Sequence, residues 1–413
     1  MSMDSSSQKS TTFFNTNFCL QLAYKVLQKQ VERGLNFVSS PLSLHIILSI
    51  IAAGSSGETL KQLLSFLGSE SINDLNSLSS EIVSRIRLVE DNNEGGGGPV
   101  ISFVNGTWVE KSFGLKTSFE EIVKHLYKSK IEAVDFIHKA YQVKDEVNSW
   151  VENATNGLIK QLLPPGSLDE ETKLVLVNAL YFKGSWDQKF NPSKTLPKNF
   201  QLLNGQLVKV PFMTGVRNDE YYYKSFENFK MLKIPYQSGN TTTTTSLKFS
   251  MYFFLPHHNN INNNEGLPNL IHTFNSNPKF LNQNFGLYRE DLEELWIPRF
   301  KFSSDFDAVA DMRDLGLTLP FRPGDLTEIS DSSLGESLCV SNILHKAFIE
   351  VNEEGTEAAA STVAILRLYN CGGMVHFHRP SFVADHPFLF MIREEKSRAV
   401  FFIGAVLNPL LDS

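Results

Sequence analysis

The middle of this chain contains a segment, KLVLVNALYFK from Lys173 to Lys183, that is apolar almost without interruption. A strand with one face in water alternates apolar and polar residues, whereas continuous Val, Leu and aromatic residues predict a strand that is buried on both faces. Other elements must therefore cover both sides of the sheet that contains it. Of the 413 residues, 42% are hydrophobic and 20% are charged, a balance that allows a core of that size.

Helices and further strands surround this segment in the sequence. Apolar residues at helical spacing predict a helix from Asn17 to Val31, and a further helix is predicted from Ala140 to Ala154. Ser40-Pro41 is a typical helix start and is followed by an apolar run to Ala53, while Ser118 with Glu121 resembles a capping box. Further apolar runs predict strands, of which the last two form a hairpin: Phe249 to Leu255, His386 to Ile392 and Ala399 to Val406. The mixture predicts an α+β fold.

No change of composition divides the chain into two halves. Three low-complexity patches, Gly95 to Gly98, Thr241 to Thr245 and Asn259 to Asn264, are interpreted as expansions of surface loops, because such residues bury little and long loops cost little entropy. We therefore predict one domain from residue 13 to residue 410, preceded by a disordered segment over residues 1–12.

The overall composition argues against several classes of protein. The 38 Lys and Arg against 45 Asp and Glu leave a net charge of −7, without the basic excess that nucleic acids or membrane surfaces attract. No apolar stretch approaches the roughly 18 residues of a membrane span. Three cysteines are too few for a disulfide framework or a zinc site and favour a reducing compartment: Cys19, Cys339 and Cys371.

The residues at the N-terminus agree with that location. Met1 to Thr12 lacks the apolar core of a secretory signal peptide, so we expect a cytoplasmic protein, with the nucleus or non-classical export as further locations. The glycosylation sequons that start at Asn105, Asn153 and Asn240 are then expected to be unused.

Motifs for catalysis, nucleotides or metals are missing. Gly54-Ser55-Ser56-Gly57 has the wrong spacing for a nucleophile elbow, and neither of the common glycine-rich phosphate-binding patterns occurs. His257-His258 and the pair His376 and His378 have no carboxylate or cysteine at a ligand-like offset. We therefore expect no enzyme activity, no cofactor and no metal.

The segment from Thr356 to Ala364 has an unusual composition. Apart from Glu357, its residues are small or β-branched and none is proline, so it can form a central strand. As a strand it would place on one face only small residues, namely Thr356, Ala358, Ala360, Thr362 and Ala364. Because alanine also has the highest helix propensity, a helix is the alternative. Beyond it, Ile365 to Asn370 is followed by Gly372-Gly373, which predicts an exposed, protease-sensitive tip.

Residues 353–360 (EEGTEAAA) resemble the hinge of the serpin reactive-centre loop, and similar matches lie on both sides of it. Residues 36–43 (NFVSSPLS) resemble the family's segment that opens helix B, and residues 176–186 (LVNALYFKGSW) the strand that leads to its breach tryptophan. His345-Lys346-Ala347 precedes the hinge at the family's spacing. Phe401 to Gly404 with Asn408-Pro409 resembles the closing strand. The similarity spans roughly Phe13 to Leu410, and such a multi-part match is far more specific than one motif.

The resemblance, which is greatest to plant serpins at residues 383–388 (VADHPF), implies a fold. It implies a single α+β domain with three β-sheets, about eight or nine helices and an exposed reactive-centre loop at about residues 355–381. It also implies site residues. The hinge would comprise Glu354, Gly355, Thr356, Glu357, Ala358, Ala359, Ala360, Ser361 and Thr362. The shutter, a polar cluster where the main sheet parts, would comprise Ser40, Ser43, Asn178 and His345. Trp186 would be the breach residue, with a plain core aromatic as the alternative.

The position of the reactive bond follows from the same resemblance. Counting from the hinge glycine, Gly355, places the bond at Tyr369-Asn370, which suits a chymotrypsin-like pocket. Many plant relatives carry a Leu-Arg pair here, and Leu366-Arg367 lies two residues earlier, so Arg367-Leu368 is the second candidate. Cleavage there would indicate a trypsin-like, metacaspase-like or papain-like target. Cys371 is interpreted as a spectator.

The function implied by the resemblance is inhibition of serine-type endopeptidases, and also of cysteine-type ones, by a suicide-substrate mechanism. A monomeric inhibitor would form a covalent 1:1 complex with the protease, with no nucleic-acid or membrane partner. A non-inhibitory serpin that acts as a binding, storage or chaperone-like protein is the alternative, and charge, proline or bulk in the hinge would have indicated it. A hydrolase is a third hypothesis, which the missing motifs disfavour.

Overall fold

The structure, a computed structural model, describes residues 17–91, 99–215, 219–238, 247–257, 266–330, 336–356 and 379–411. The three low-complexity patches, both candidate reactive bonds and the hinge residues beyond Thr356 lie outside the described residues, as do Cys371, His258, His376 and His378. None of the helices in the described ranges combines the length and the apolar character needed to cross a bilayer.

Eight α-helices occur in the described residues. They are α1 (Asn17–Glu32), α2 (Pro41–Ala53), α3 (Gly57–Leu67), α4 (Ile72–Asp91), α5 (Thr117–His125), α6 (Phe136–Ala154), α7 (Gly266–Ser276) and α8 (Val309–Asp314). Helix α2 begins as predicted, with the Ser40 side chain accepting a hydrogen bond from the backbone N–H of Ser43 and Pro41 in the first turn. Every residue of this helix is buried.

The predicted capping box at Ser118 and Glu121 is wrong. Helix α5 begins two residues earlier than a cap at Ser118 requires, at Thr117, and its cap residue Lys116 makes no side-chain capping bond. Ser118 therefore lies inside the first turn, where its hydroxyl cannot serve as the cap. Helix α6 is capped by Asp135 through His138 N–H, but Lys139 has non-helical dihedral angles (φ −136°, ψ 25°), so the regular helix begins at Ala140 and ends at Ala154, as predicted.

Six strands of the main sheet lie in the described ranges. In spatial order they are β12 (Phe300–Asp307), β13 (Asn342–Val351), β14 (Gly355–Thr356), β4 (Leu174–Ser185), β2 (Val100–Glu110) and β3 (Lys130–Val134). Strand β4 contains the apolar segment and is buried on both faces, as predicted. Leu174, Leu176 and Leu180 contribute to the large core on one side, while Val175 and Val177 pack with residues of α6 on the other.

Two further sheets, of seven and four strands, occur in the described residues. The second sheet has, in order, β1 (Phe37–Ser39), β17 (Val400–Val406), β16 (Phe388–Glu394), β9 (Phe249–Pro256), β8 (Phe229–Pro235), β7 (Glu220–Ser225) and β10 (Tyr288–Asp291). The third has β15 (Phe382–Val383), β11 (Leu295–Pro298), β6 (Leu207–Thr214) and β5 (Leu196–Gln201). Strands β16 and β17 pair antiparallel as the predicted hairpin. Three sheets with these helices confirm the α+β fold.

Candidate functional site

The first residues of the predicted hinge lie in the main sheet as a short strand. Strand β13 ends at Val351, and the chain reverses through a turn closed by two backbone bonds, Asn352 N–H to Gly355 O at 2.9 Å and Gly355 N–H to Asn352 O at 3.3 Å. Strand β14 then runs back antiparallel to both neighbours, with Thr356 opposite Val351 of β13 and opposite Gly184 of β4. The first two residues after Glu354 thus already lie between these strands.

Gly355 lies too close to β4 for any other residue. An added Cβ would lie 1.9 Å from the carbonyl oxygen of Gly184 and 2.7 Å from Cα of Ser185. Its φ angle of +153° is also one that side-chain-bearing residues rarely adopt. Both facts explain why the turn into the sheet carries glycine.

Aromatic residues surround the entry point. The ring of Trp186 is fully buried and stacks on Tyr236, with ring centroids 4.6 Å apart and an interplanar angle of 16°. Its indole Nε1–H donates to Asn352 O at 2.9 Å, and its backbone N–H donates to Glu354 O at 2.9 Å. Trp186 therefore binds the turn that precedes β14, which is more than the contact of a plain core aromatic.

Thr356 is buried beside the same aromatic pair. Its Oγ1 lies 2.7 Å from the hydroxyl of Tyr236, and 1% of the residue is exposed. Burial raises the pKa of Tyr236 far above its usual value, which the bond from Thr356 only partly offsets, so the hydroxyl stays neutral. The space that receives Thr356 therefore suits a short, uncharged side chain.

Charged residues hold the turn from outside. Arg299 donates to Glu353 Oε1 through Nε at 2.7 Å and through Nη2, and the hydroxyl of Thr195 donates to the same oxygen. Glu353 is buried, whereas the Arg299 side chain is 42% exposed. Lys189 pairs with Glu354 at 2.6 Å. The two glutamates before the hinge glycine are thus each fixed by a basic side chain.

The predicted shutter residues lie together in the part of the main sheet where β13 pairs directly with β4. Strands β13 and β4 pair in parallel over Asn342–Ala347 and Val175–Leu180, and in this register His345 lies opposite Asn178. Asn178 in turn lies opposite Asn105 of β2. These three buried residues, Asn105, Asn178 and His345, form a polar row across adjacent strands of the main sheet.

The hydrogen bonds of the polar row determine the form of the histidine. Nε2 of His345 accepts from the backbone N–H of Ser40 at 3.0 Å, so the ring proton must be on Nδ1, which donates to Asn178 Oδ1 at 2.7 Å. Asn178 then donates to Asn105 Oδ1 at 2.6 Å. Burial lowers the pKa of His345 to about 3, consistent with a neutral ring.

The two serines take different parts in this arrangement. Ser40 contributes its backbone N–H to His345 and its hydroxyl to the cap of α2. Ser43 contributes its N–H to Ser40, while its hydroxyl is buried and has no hydrogen-bond partner among the described residues. The structure thus brings all four predicted residues together, with Ser43 at the edge of the network.

Sequence reasoning missed several residues of the site. Asn105 was noted only as a sequon, yet it is 4% exposed and hydrogen-bonded in the sheet. In the sequence Asn105 is only a polar residue within the segment that forms β2. Its place opposite Asn178 follows from the register of β2 with β4. Tyr236, Asn352 and the Arg299–Glu353 pair had no signal in the sequence, because their partners are distant along the chain.

No group of three or more His, Cys, Asp or Glu side chains suited to a metal ion occurs in the ranges that the structure describes. His257, one of the histidines considered from sequence, lies with Nε2 2.9 Å from the carbonyl oxygen of Phe226.

Comparisons with known proteins agree on one family. The family model described as Serpin (serine protease inhibitor) matches residues 14–409. Serpin-ZX of Arabidopsis thaliana is 45% identical over 382 residues, which cover 92% of this chain and 94% of that protein. Serpin-ZXA of Oryza sativa subsp. japonica is 43% identical over 401 residues and 96% of both chains.

Solved structures give the same result. The structure of Arabidopsis AtSerpin1 in its native stressed conformation superposes with a TM-score of 0.82 at 43% identity, covering 96% of this chain and 98% of that chain. Serpin48 of the insect Tenebrio molitor, described as highly specific, superposes with a TM-score of 0.80 at 26% identity, covering 95% and 96% of the two chains.

Proposed function

Since this chain belongs to the serpin family, we propose that it is an endopeptidase inhibitor, not an enzyme, and that it acts as a suicide substrate. The protease nucleophile would attack the carbonyl carbon of Tyr369, and the bond to Asn370 would break with the new amine as leaving group. The acyl-enzyme ester would then be trapped by insertion of the hinge. Loop insertion of this kind is an established transition of the family.

The observation that supports this proposal is the position of β14. Gly355 and Thr356 already pair with both β13 and β4, so the residues that follow would extend an existing strand and would not have to nucleate a new one. Each further residue would gain main-chain hydrogen bonds on both sides, which an exposed loop leaves to water.

The register of β14 predicts where the rest of the hinge would lie. Continuing antiparallel from Thr356 opposite Gly184, the inward-facing residues Ala358, Ala360 and Thr362 would come opposite Phe182, Leu180 and Asn178 of β4. On the other side they would face Ile349, Ala347 and His345 of β13. Alanine adds little volume between packed rows, so this face can enter without large repacking.

Thr362 would therefore lie between His345 and Asn178. Insertion must separate these two side chains, which in the present structure are 2.7 Å apart, by the width of one strand. A threonine hydroxyl can accept from His345 Nδ1–H and donate to Asn178 Oδ1, so it can restore both bonds. The polar row would thus remain satisfied before and after insertion, as buried polar groups require.

The same contacts supply the barrier that keeps the native form in place. Insertion must break the parallel ladder between β13 and β4, including the bond from His345 to Asn178. The native state is then kinetically trapped, and cleavage of the loop releases it.

The target would be a serine-type protease, and also a cysteine-type one, in a covalent 1:1 complex with a monomeric inhibitor. Among the described residues Cys19 and Cys339 form no disulfide, which supports the proposed cytoplasmic location.

The decisive experiment is incubation of the purified chain with chymotrypsin, trypsin and a papain-like protease, followed by a denaturing gel. A complex that survives denaturation would support suicide inhibition. The intact mass of the released fragment distinguishes cleavage before Asn370 from cleavage before Leu368, the second candidate. Cleavage by every protease without any such complex would contradict the proposal and favour a non-inhibitory binding, storage or chaperone-like protein.

A further inference from the structure

A cavity of about 720 Å³ lies between the second and third sheets, and its lining includes none of the residues of the hinge contacts or the polar row. Its walls come from β5, β8 and β9, from the residue before β11, and from β15 with the turn after it. Its volume is within the range of about 300 to 1,000 Å³ that is typical of small-molecule sites. Nothing in the proposed inhibitory mechanism uses this space.

The walls combine apolar surface with cationic groups. Leu255, Pro256 and Val383 supply apolar surface, and Lys198 and Lys230 supply two ammonium groups from different strands. Lys230 lies opposite Leu255 in the pairing of β8 with β9. Such a combination suits an organic body with an acidic group attached.

Lys230 retains hydrogen-bonding capacity. Within the described part of the chain its ammonium group makes one hydrogen bond, to Ser381 O at 3.0 Å, whereas an ammonium group carries three donors. Burial lowers the pKa of Lys230, and Asp385 opposes this effect. An anion beside Lys230 would compensate for the lost hydration.

Lys198 is positioned by an aromatic ring. Its Nζ lies 3.9 Å from the ring centroid of Trp296, a cation–π contact that holds the side chain without neutralising its charge. Among the described residues, neither Lys198 nor Lys230 forms an ion pair with a carboxylate.

The two carboxylates of the cavity wall are engaged by other groups. Asp385 Oδ1 lies 2.8 Å from His386 Nδ1, and Trp296 Nε1–H donates to Glu294 Oε1 at 3.3 Å. The second ring nitrogen of His386 lies 2.9 Å from Pro256 O, which fixes the ring against the wall. The cationic groups are therefore the ones that remain for a ligand.

We propose that this cavity binds a small organic anion that carries carboxylate or phosphate groups, with Lys230 and Lys198 as its charge partners. The ligand would contact β8 and β9 of the second sheet and β5 and β15 of the third, and would therefore stabilise the folded form by mass action. The proposal is independent of protease inhibition, because binding is measured on the uncleaved chain alone.

The test uses the full chain with two probes, tricarballylate and inorganic phosphate, at an ionic strength kept constant with sodium chloride. Thermal unfolding and calorimetry should show that at least one probe raises Tm and binds saturably. Preference for tricarballylate would identify a carboxylate ligand, and preference for phosphate a phosphorylated one. Lys230→Met and Lys198→Met should each weaken the binding about tenfold or more, which corresponds to about 1.4 kcal/mol.

Lys209→Met is the matched control, because Lys209 is an exposed lysine of the neighbouring strand β6 outside the cavity. Its affinity should equal that of the parent chain. If a variant does not fold, the parent chain is tested instead. The bound probe should then protect Lys230 and Lys198 from acetylation, as measured by mass spectrometry. No saturable binding of either probe, equal binding by all three variants, or unprotected lysines would overturn the proposal.

Discussion

The hydroxyl group of Tyr236 lies 2.7 Å from Oγ1 of Thr356, and both residues are buried where the hinge enters the main sheet. The ring of Tyr236 also stacks on Trp186, whose indole binds the preceding turn. One tyrosine thus connects the first inward-facing residue of the hinge to the aromatic residue predicted for the breach. If the hinge inserts as proposed, the chemistry of position 356 should therefore be decisive.

Replacing Thr356 with arginine should convert the inhibitor into a substrate. The space beside Tyr236 is buried, and an unpaired charge placed there costs several kcal/mol. Because Thr356 already pairs with β13 and β4, the arginine would keep β14 out of the sheet, and insertion would have to begin by burying the charge. Insertion would then be slower than deacylation, so the protease would escape. The fraction of protease in the denaturation-resistant complex should fall from most of the protease to a few per cent or less, measured on denaturing gels.

Thr356→Ser is the matched control, because it keeps the hydroxyl that faces Tyr236. It should form nearly as much complex as the parent chain. Equal complex formation by the arginine variant would show that trapping of the protease does not require residue 356 to be buried between β13 and β4.

The specificity should depend on Tyr369. Tyr369→Ala removes the aromatic group that fills a chymotrypsin-like pocket, so the second-order rate constant with chymotrypsin should fall on the order of a hundredfold or more. Arg367→Ala should leave that rate within a factor of a few, and progress curves with chymotrypsin measure both. The reverse pattern, with trypsin inhibition lost in Arg367→Ala, would assign the reactive bond to Arg367-Leu368.

The ion pair between Arg299 and Glu353 should stabilise the native form. Arg299→Gln leaves the buried carboxylate of Glu353 without its charged partner. Breaking such a pair should cost about 2 to 3 kcal/mol of unfolding free energy. This value is in the lower part of the usual range because the Arg299 side chain is 42% exposed. The midpoint of the first unfolding transition in urea measures the loss.

Arg289→Gln provides the comparison, since its pair with Glu220 is exposed on both sides at 3.8 Å. This variant should lose less than about 0.5 kcal/mol. Similar losses for the two variants would mean that burial of Glu353 carries no special weight.

The free energy of unfolding should depend on pH through His345. Its pKa is about 3 in the folded chain against 6.5 for an unperturbed histidine, so the unfolded chain takes up the proton first. Stability should therefore fall as the pH falls from about 6.5 towards 3, by up to about 1.4 kcal/mol per pH unit from this group. Urea unfolding at several pH values measures the slope.

His345→Gln should reduce that slope, although it also weakens the polar row. His272→Gln, at an exposed position of α7, should keep the slope of the parent chain. A slope that is the same in all three proteins would remove His345 as its source.

Thr362 should stabilise the cleaved, inserted form. Thr362→Val would leave His345 Nδ1–H and Asn178 Oδ1 separated without partners, at a cost of about 1 to 3 kcal/mol for each unsatisfied group. The gain in Tm on cleavage of the loop should shrink accordingly. Ser361→Ala, on the opposite face of the same strand, should leave the gain almost unchanged, and an equal effect in both variants would disprove the register.

Much of the fold could be predicted from local patterns. The apolar run of β4, the Ser40-Pro41 start of α2 and the hairpin of β16 and β17 depend on neighbouring residues, and all three occur in the structure. The capping box at Ser118 was wrong, because a cap depends on where the helix begins, and the cap lies two residues earlier, at Lys116. Local patterns thus predict the existence of elements better than their exact ends.

The chain's own sequence determined which residues are small, polar or apolar. This composition is the basis for the prediction that Thr356 to Ala364 can enter a sheet, and it makes Asn178 and His345 stand out in buried strands. The tertiary structure decided the register that places His345 opposite Asn178 and Asn105, and the packing that brings Tyr236 to Thr356 and Arg299 to Glu353. The physical reason is separation along the chain: these pairs interact only after strands from distant segments align, and side-chain periodicity specifies a face of a strand but not its partner.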